Sequence, residues 1–328
     1  MRSIRGRVWR DGVVVAEDFP LEQLDQWLAD PTALVWLDVC EPEKALLDQL
    51  ASELALDPLA VEDAVEPRER PKATRHATHT FITCYSARLL TSGQAVPRLA
   101  TGRVSVFVLP TGLITVRVQD DVDMDEVLAR WNEDGLLGYG VGALVHGLLD
   151  TLVDEHFVTI QSMDDALEDL EDLLFDVRVP TRVIQQRVFA LRKALVELRR
   201  IVLPMREVVA AVMRHRLTNG SARDLDGSFN DLYDHVLRAA EWTESLRDMI
   251  GSVFETNLSL QDAKLNTVMK KLAAWGAIIA VPTAVTGWFG QNLPYPGFSE
   301  PSGLWQSAIL ILIGTVGLFF AFKRFDWL

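Results

Sequence analysis

VTGWFGQNLPYPG, residues 285–297, ends one uncharged segment of the chain and is soon followed by another. No Asp, Glu, Lys or Arg occurs between Lys271 and Glu300, and residues 301–322 are again without charge. About 20 apolar residues are needed to cross a bilayer as a helix, and both segments reach that length. A helix of a globular core normally keeps a polar face. The pattern therefore predicts two membrane spans rather than a buried hairpin.

Basic residues flank the two predicted spans on one side only. Lys270 and Lys271 precede the first span, Lys323 and Arg324 follow the second, and the loop between carries only Glu300. Under the positive-inside rule, both termini face the cytoplasm. We therefore expect a multi-pass protein of the cell (inner) membrane. Two helices cannot enclose an aqueous path, so any pore requires several subunits.

Composition limits the classes of function. The 328 residues carry a formal charge of −14, which argues against nucleic acid as a partner. The two cysteines, Cys40 and Cys84, form no metal-binding motif. No GxxxxGK, HExxH, GxSxG or GxGxxG sequence occurs, so neither an ATP-driven pump nor a familiar enzyme is indicated. His76 and His79 could hold a metal as a pair, but ordinary surface histidines are the favoured interpretation.

The rest of the chain reads as a cytoplasmic α/β domain followed by long helices. VVVAEDF, ALVWLDV and VSVFVLPTGLITVRV are strand-like, and KALLDQLASELAL has a helical period. Beyond residue 121, glycine and proline become sparse, and an acidic helix, a basic helix and one helix of about 60 residues are expected. The predicted organisation is an α/β domain at 1–121, a long-helix region at 122–271, spans at 272–292 and 303–322, an external loop at 293–302 and a tail at 323–328.

One face of the longest helix carries a line of polar residues that continues as small residues inside the first span. Small residues at this spacing often serve only for close helix packing. In a ring of identical helices, however, the same line would face a narrow axial path, with Asn266 and Thr283 offering oxygens to water and Met269 and Leu272 narrowing it. Alternating steps of three and four give Glu255, Ser259, Asp262, Asn266, Met269, Ala273, Gly276, Ala280, Thr283, Gly287 and Gly290.

Several motifs together resemble the CorA-type divalent-cation transporters, a superfamily that includes the ZntB proteins. PTAVTGWFGQN is similar to the family's Pro-Thr…Gly-Met-Asn ending, and WLDVCEPEKALLDQLASELALDPLAVEDAVEPRERPK and LRKALVELRRIVLPMREVV are similar to its N-terminal and middle segments. The resemblance implies a funnel-shaped homopentamer with one central pore. Its selectivity filter would be Gly290, Gln291 and Asn292, with a ring of Asn292 carbonyls at the outer mouth. The pore-lining residues would be Asn266, Met269, Leu272, Gly276, Ala280, Thr283 and Gly287.

The resemblance also implies gating by intracellular divalent cations bound between subunits. Asp63 and Glu255 would form one regulatory site, and Glu62, Asp154 and Asp231 a neighbouring one. Carboxylates that face each other across an interface repel unless a cation bridges them. Loss of the ion would then loosen the closed ring.

Departures from the family pattern affect the choice of ion. Gln291 replaces methionine, and the loop LPYPGFSEP has Glu300 as its only acid, which resembles zinc transporters of the ZntB type. We expect a passage for magnesium, with cobalt or nickel as surrogates, driven by the membrane potential. A ZntB-like zinc transporter, with or without proton coupling, is the alternative. A non-conducting, membrane-tethered cation sensor or scaffold is a further alternative.

Overall fold

The computed structural model describes residues 3–67, 69–91, 96–133, 135–176, 178–218, 223–291 and 294–328. Its contacts divide the chain into two compact units, Met1–Ser252 and Val253–Leu328. The strands are β1 (Ser3–Arg10), β2 (Val13–Glu17), β3 (Leu34–Cys40), β4 (Lys72–Arg75), β5 (Thr80–Leu90), β6 (Arg98–Val108) and β7 (Gly112–Arg117). The helices are α1 (Leu24–Ala29), α2 (Lys44–Glu53), α3 (Pro58–Val65), α4 (Met124–Glu133), α5 (Val141–Phe175), α6 (Thr181–Thr218), α7 (Asp226–Phe289) and α8 (Pro301–Arg324).

The first unit contains one mixed sheet of seven strands in the order β2-β1-β3-β7-β6-β5-β4. Only β3 and β7 pair in parallel, with Cys40 opposite Arg117. The strand-like segment VSVFVLPTGLITVRV forms a hairpin, because β6 and β7 pair antiparallel from Ser105↔Val116 to Val108↔Leu113.

Helices cover both faces of this sheet, because its inner strands carry apolar residues on both sides. In β3, Val35 and Leu37 join the core formed with α1 to α3, whereas Leu34 and Trp36 join the core formed with α4, α5, α6 and the start of α7. Every residue of β3 is buried, as expected for a strand between two helical layers. Trp131 of α4 packs edge-on against Trp36, with ring centroids 5.3 Å apart.

The long helices predicted beyond residue 121 are confirmed. The acidic segment forms α5, the basic segment forms α6, and α7 continues for 64 residues. Pro282 lies within α7, where it cannot donate the usual backbone hydrogen bond. Residues 226–252 of α7 belong to the first unit and residues 253–289 to the second.

Candidate functional site

Two helices at the carboxyl end are long and apolar enough to cross a membrane. They are α7, through its last third, and α8, whose most apolar window has a mean hydropathy of 2.0. Almost none of the residues in that window is buried within the chain. The α8 helix begins with Pro301 in its first turn and ends with Lys323 and Arg324 in its last turn. Both features are favourable, since proline suits the first turn and cations suit the carboxyl end.

One face of α7 packs against α8. Ala274 and Ile278 are buried, and Val281 and Val285, on the same face, are half-buried. The contact is close at Gly314 of α8, where an added Cβ would lie 2.7 Å from a methyl carbon of Val281. Glycine at this position therefore allows the two helices to approach.

The predicted pore-lining residues lie on the opposite face of α7. Side chains two residues apart in an α-helix are rotated by about 200° about the helix axis. Residues two positions after those that face α8 therefore point away from α8. Met269 and Leu272 are 64% and 68% exposed although they are large and apolar. Within one chain, all seven predicted positions are exposed: Asn266, Met269, Leu272, Gly276, Ala280, Thr283 and Gly287.

Thr283 is the polar member of this face inside the apolar segment. Its hydroxyl donates to the carbonyl oxygen of Ile279, at 3.1 Å, one turn earlier. This bond uses the only proton of the hydroxyl and leaves the lone pairs of the oxygen directed outward. Thr283 can therefore accept hydrogen bonds from water on the exposed face.

The α7 helix ends where the Gly-Gln-Asn tripeptide begins. A Cβ added at Gly290 would lie 2.9 Å from the carbonyl oxygen of Thr286, so the tight end of the helix requires glycine. Gln291 is exposed. Asn292, the predicted filter residue, lies outside the described residues. After it, the hydroxyl of Tyr295 donates to the carbonyl oxygen of Phe289 at 3.2 Å and ties the loop to the helix end.

Of the predicted regulatory acids, Asp63 already has a cationic partner. It accepts a hydrogen bond from the Lys72 ammonium at 2.6 Å, and Glu69 accepts a second one at 2.8 Å. Burial lowers the pKa of Lys72, but these hydrogen bonds outweigh burial and raise the pKa above its usual value. Glu62 and Glu255 are exposed, and Glu255 belongs to the second unit.

Asp154 belongs to a compact group of potential metal ligands in the first unit. Asp150 and Asp154, one turn apart on α5, lie with His235 of α7 so that one ligand atom of each is within 4.8 Å of the others. Asp231, a further predicted acid, lies one turn before His235, with its carboxylate 3.8 Å from Nε2. We call Asp150, Asp154 and His235 the cytoplasmic ligand cluster.

Arg130 occupies a position where a bound cation would compete with it. Its guanidinium is 3.1 Å from the Asp150 carboxylate and also pairs with Asp154. His235 has a buried Nδ1 for which the described residues offer no hydrogen-bond partner. Sequence reasoning predicted Asp154 and Asp231 but missed Asp150 and His235. The available signal was the spacing of four residues between Asp150 and Asp154, and again between Asp231 and His235.

The expectation for the histidine pair is wrong for His79, which is only 5% exposed. The His76 and His79 rings are stacked, with centroids 4.8 Å apart and planes 15° apart. Stacked rings direct their nitrogens outward from the stack. Among the described residues, neither histidine belongs to a group of three or more potential metal ligands.

Comparisons with known proteins place the chain among metal-ion transporters. Residues 31–324 match the family model described as CorA-like Mg2+ transporter protein. The chain is 25% identical over 307 residues to the cobalt/magnesium transport protein CorA of Thermotoga maritima, covering 91% of this chain and 85% of that one. It is 28% identical to the zinc transport protein ZntB of Yersinia pseudotuberculosis, covering 92% and 90%.

Solved structures share the fold. The complete CorA magnesium transporter of Methanocaldococcus jannaschii matches with a TM-score of 0.74 and 20% identity, over 99% of this chain and 98% of that one. The α/β domain, the long helices and the two apolar carboxyl-terminal helices thus recur together in a known transporter. Because the family model covers most of the chain, the conclusion is direct: the chain belongs to the CorA-like family of metal-ion transporters, which are membrane proteins and not enzymes.

Proposed function

We propose that the chain is one subunit of a homopentameric, funnel-shaped channel that conducts divalent cations across the cell membrane, with both termini in the cytoplasm. The proposal depends above all on the two faces of α7. The α8 helix covers one face, whereas the line of small and polar residues opposite is exposed in the part of the chain that the structure describes. In a ring of subunits, that line is the surface available to an axial path.

The chemistry of the line suits a hydrated ion. Thr283 offers oxygen lone pairs within the apolar segment, and Gly276, Ala280 and Gly287 add little volume. The filter would be Gly290, Gln291 and Asn292, whose amide carbonyls accept hydrogen bonds from ion-bound water. Magnesium releases its water reluctantly. Recognition of the hydrated ion therefore avoids the cost of stripping its shell.

The transported ion would be Mg2+, with cobalt or nickel as surrogates, and the membrane potential would drive it. A divalent ion gains about 4.6 kcal/mol per 100 mV, twice the value of a unit charge. The named relatives include both cobalt/magnesium and zinc transport proteins. Asp63 with Glu255, and Glu62 with Asp154 and Asp231, would bind the intracellular cation that holds the channel closed.

A zinc transporter is the second candidate, and His235 favours it. An imidazole beside two carboxylates is a ligand set that suits Zn2+ or Co2+ better than Mg2+, which prefers oxygen alone. Zinc would then be the ion that this protein senses as well as carries.

The test is ion uptake into liposomes that contain the purified protein, read with magnesium, zinc and pH dyes in parallel. Ala280→Phe places a bulky ring on the proposed pore face, whereas Ala308→Phe makes the same change at an exposed position of α8. We expect Ala280→Phe to abolish uptake and Ala308→Phe to retain it, with both variants assembled equally. Equal uptake by the two variants would exclude this pore face. Zinc entry with protons would select the second candidate, and no uptake by the parent protein would favour the non-conducting sensor.

A further inference from the structure

The loop between the two apolar helices folds back onto both of them, and Tyr295 lies at the centre of its contacts. All of the residues concerned belong to the second unit. The half-buried side chain of Tyr295 donates its hydroxyl proton to the carbonyl oxygen of Phe289, at 3.2 Å. Its ring stands edge-on to the ring of Phe289, with centroids 5.0 Å apart, and to the ring of Phe298, at 5.4 Å. One side chain thus joins the end of α7 to the loop.

The loop also packs directly on the first turn of α8. A Cβ added at Gly303 would lie 2.5 Å from the carbonyl oxygen of Gly297 and 3.6 Å from the ring of Tyr295. Gly297 itself has a φ of +92°, which residues with a side chain rarely adopt. The N–H of Phe298 donates to the carbonyl oxygen of Tyr295 at 2.9 Å, and that of Glu300 to Gly297 at 3.1 Å. The two glycines therefore let the loop lie against α8 with Tyr295 turned towards α7.

The hydroxyl of Tyr295 satisfies a backbone acceptor at the very end of α7. The last four carbonyl groups of a helix have no partner within the helix. The N–H groups of Gly290 and Gln291 donate to two of them, at 2.8 and 3.3 Å. The carbonyl of Phe289, the final residue of α7, receives the Tyr295 hydroxyl. This bond holds the turn from which the predicted filter residues Gly290 and Gln291 extend.

These contacts lie on the α8 side of α7. Phe289 comes one turn after Val285, which is half-buried on the face that packs against α8. It also comes two residues after Gly287, so its side chain is rotated by about 200° from the predicted pore face. Because Tyr295 packs against the ring of Phe289, the loop is held away from the line that carries Thr283 and Gly287.

We propose that Tyr295 is a positioning residue of the outer mouth of the pore. It holds the loop on the α8 side, leaves the pore face of α7 open to entering ions, and keeps the last turn of α7 formed beneath Gly290 and Gln291. This role rests on the proposed function, since it concerns the entry of ions into that pore. It requires no charge on the loop, whose only acid is Glu300.

The first measurement is amide hydrogen exchange of the full-length protein in detergent, read by mass spectrometry on peptides that cover residues 285–291. Tyr295→Phe keeps the ring and removes only the hydroxyl. The net contribution of one hydrogen bond changes an equilibrium by about two- to tenfold, so the last turn of α7 should exchange faster by that factor. Tyr139→Phe is the matched control, because it removes the hydroxyl of an exposed tyrosine in the first unit, and it should leave this exchange unchanged.

The second measurement is ion uptake into liposomes as a function of the external Mg2+ concentration, or of Zn2+ if zinc is the ion carried. We expect Tyr295→Phe to raise the half-saturating concentration by about two- to tenfold, with a maximal rate near that of Tyr139→Phe. A merely structural role would instead lower the maximal rate, through fewer assembled channels, and leave the half-saturating concentration unchanged. Tyr295→Leu, which also removes the ring, should have the larger effect, and its unfolding temperature reports whether it folds.

Equal exchange at residues 285–291 in Tyr295→Phe and Tyr139→Phe would overturn the inference, because the hydroxyl would not then hold the helix end. Faster exchange with an unchanged half-saturating concentration would overturn it as well, since Tyr295 would then serve the fold alone. If the parent protein takes up no ion, the proposed function fails and the role in ion entry fails with it, while hydrogen exchange still shows whether Tyr295 holds the helix end. Uptake by the parent protein thus separates failure of the channel from failure of the role of Tyr295.

Discussion

Arg130→Gln is the change that most directly tests the cytoplasmic ligand cluster. The guanidinium of Arg130 lies 3.1 Å from Asp150 and pairs with Asp154, so a divalent cation must displace it or bind against its charge. We expect the variant to bind Mg2+ and Co2+ more tightly than the parent protein and to unfold at a lower temperature without them. Without the guanidinium, the negative charge of the two carboxylates is no longer compensated. This destabilises the cation-free protein and strengthens the attraction of the carboxylates for a divalent cation.

The expected gain in cation affinity follows from the contacts of Arg130 with the two carboxylates. Unit charges 4 Å apart interact by about 4 kcal/mol at an effective dielectric constant of 20. The Arg130 side chain is 33% exposed and that of Asp154 42%, so solvent screening reduces the effect to about 1.5–2 kcal/mol. This corresponds to a tightening of about ten- to thirtyfold in the dissociation constant of the cation.

The assay is calorimetric titration of Mg2+ and Co2+ into the full-length protein, with the unfolding temperature followed in parallel. Arg88→Gln is the control. Arg88, in β5, pairs at 2.8 Å with Glu155, which lies on α5 as Asp150 and Asp154 do but is not part of the cluster. Asp154→Asn should weaken binding, since it removes a ligand. If Arg130→Gln and Arg88→Gln show the same cation dependence, Asp150 and Asp154 do not receive the cation and the reasoning fails.

Two further predictions concern stability. Gly314→Ala should destabilise the apolar hairpin by about 1–3 kcal/mol, because its Cβ would lie 2.7 Å from Val281. Gly317→Ala is the control, since a Cβ at that position meets nothing within 4 Å. Equal unfolding temperatures of the two variants in detergent would contradict this packing. His156 is fully buried, and burial lowers its pKa to about 4, so the unfolded chain binds a proton near pH 6.5 while the folded chain does not. As the pH is lowered from about 6.5 to about 4, the free energy of unfolding should therefore decrease by up to about 3 kcal/mol. His156→Gln can still donate a hydrogen bond to the carbonyl oxygen of Tyr85 but cannot bind the proton. Unfolding measurements across this pH range should show that the variant lacks this part of the pH dependence.

Much of the architecture was predictable because it depends on patterns along the chain. No charged residue occurs between Lys271 and Glu300 or across residues 301–322, and each of these apolar segments is long enough to span a bilayer. The proline-free run before Pro282 indicated a single long helix, and α7 is that helix. The α7 face with Thr283 was equally visible, since helical periodicity assigns residues to faces without reference to any neighbour.

What only the tertiary structure decided is which of these faces and side chains meet. The sequence pointed to Asp154 through the family resemblance but could not identify His235, 81 residues later, as its neighbour. It likewise could not tell that Val281 faces α8, because packing at Gly314 depends on a contact between segments. His79 was expected at the surface, yet the turn before β5 buries it beside a cavity. The physical reason is common to all three: sequence patterns fix local geometry, whereas burial and ligand clusters arise from contacts between residues distant along the chain.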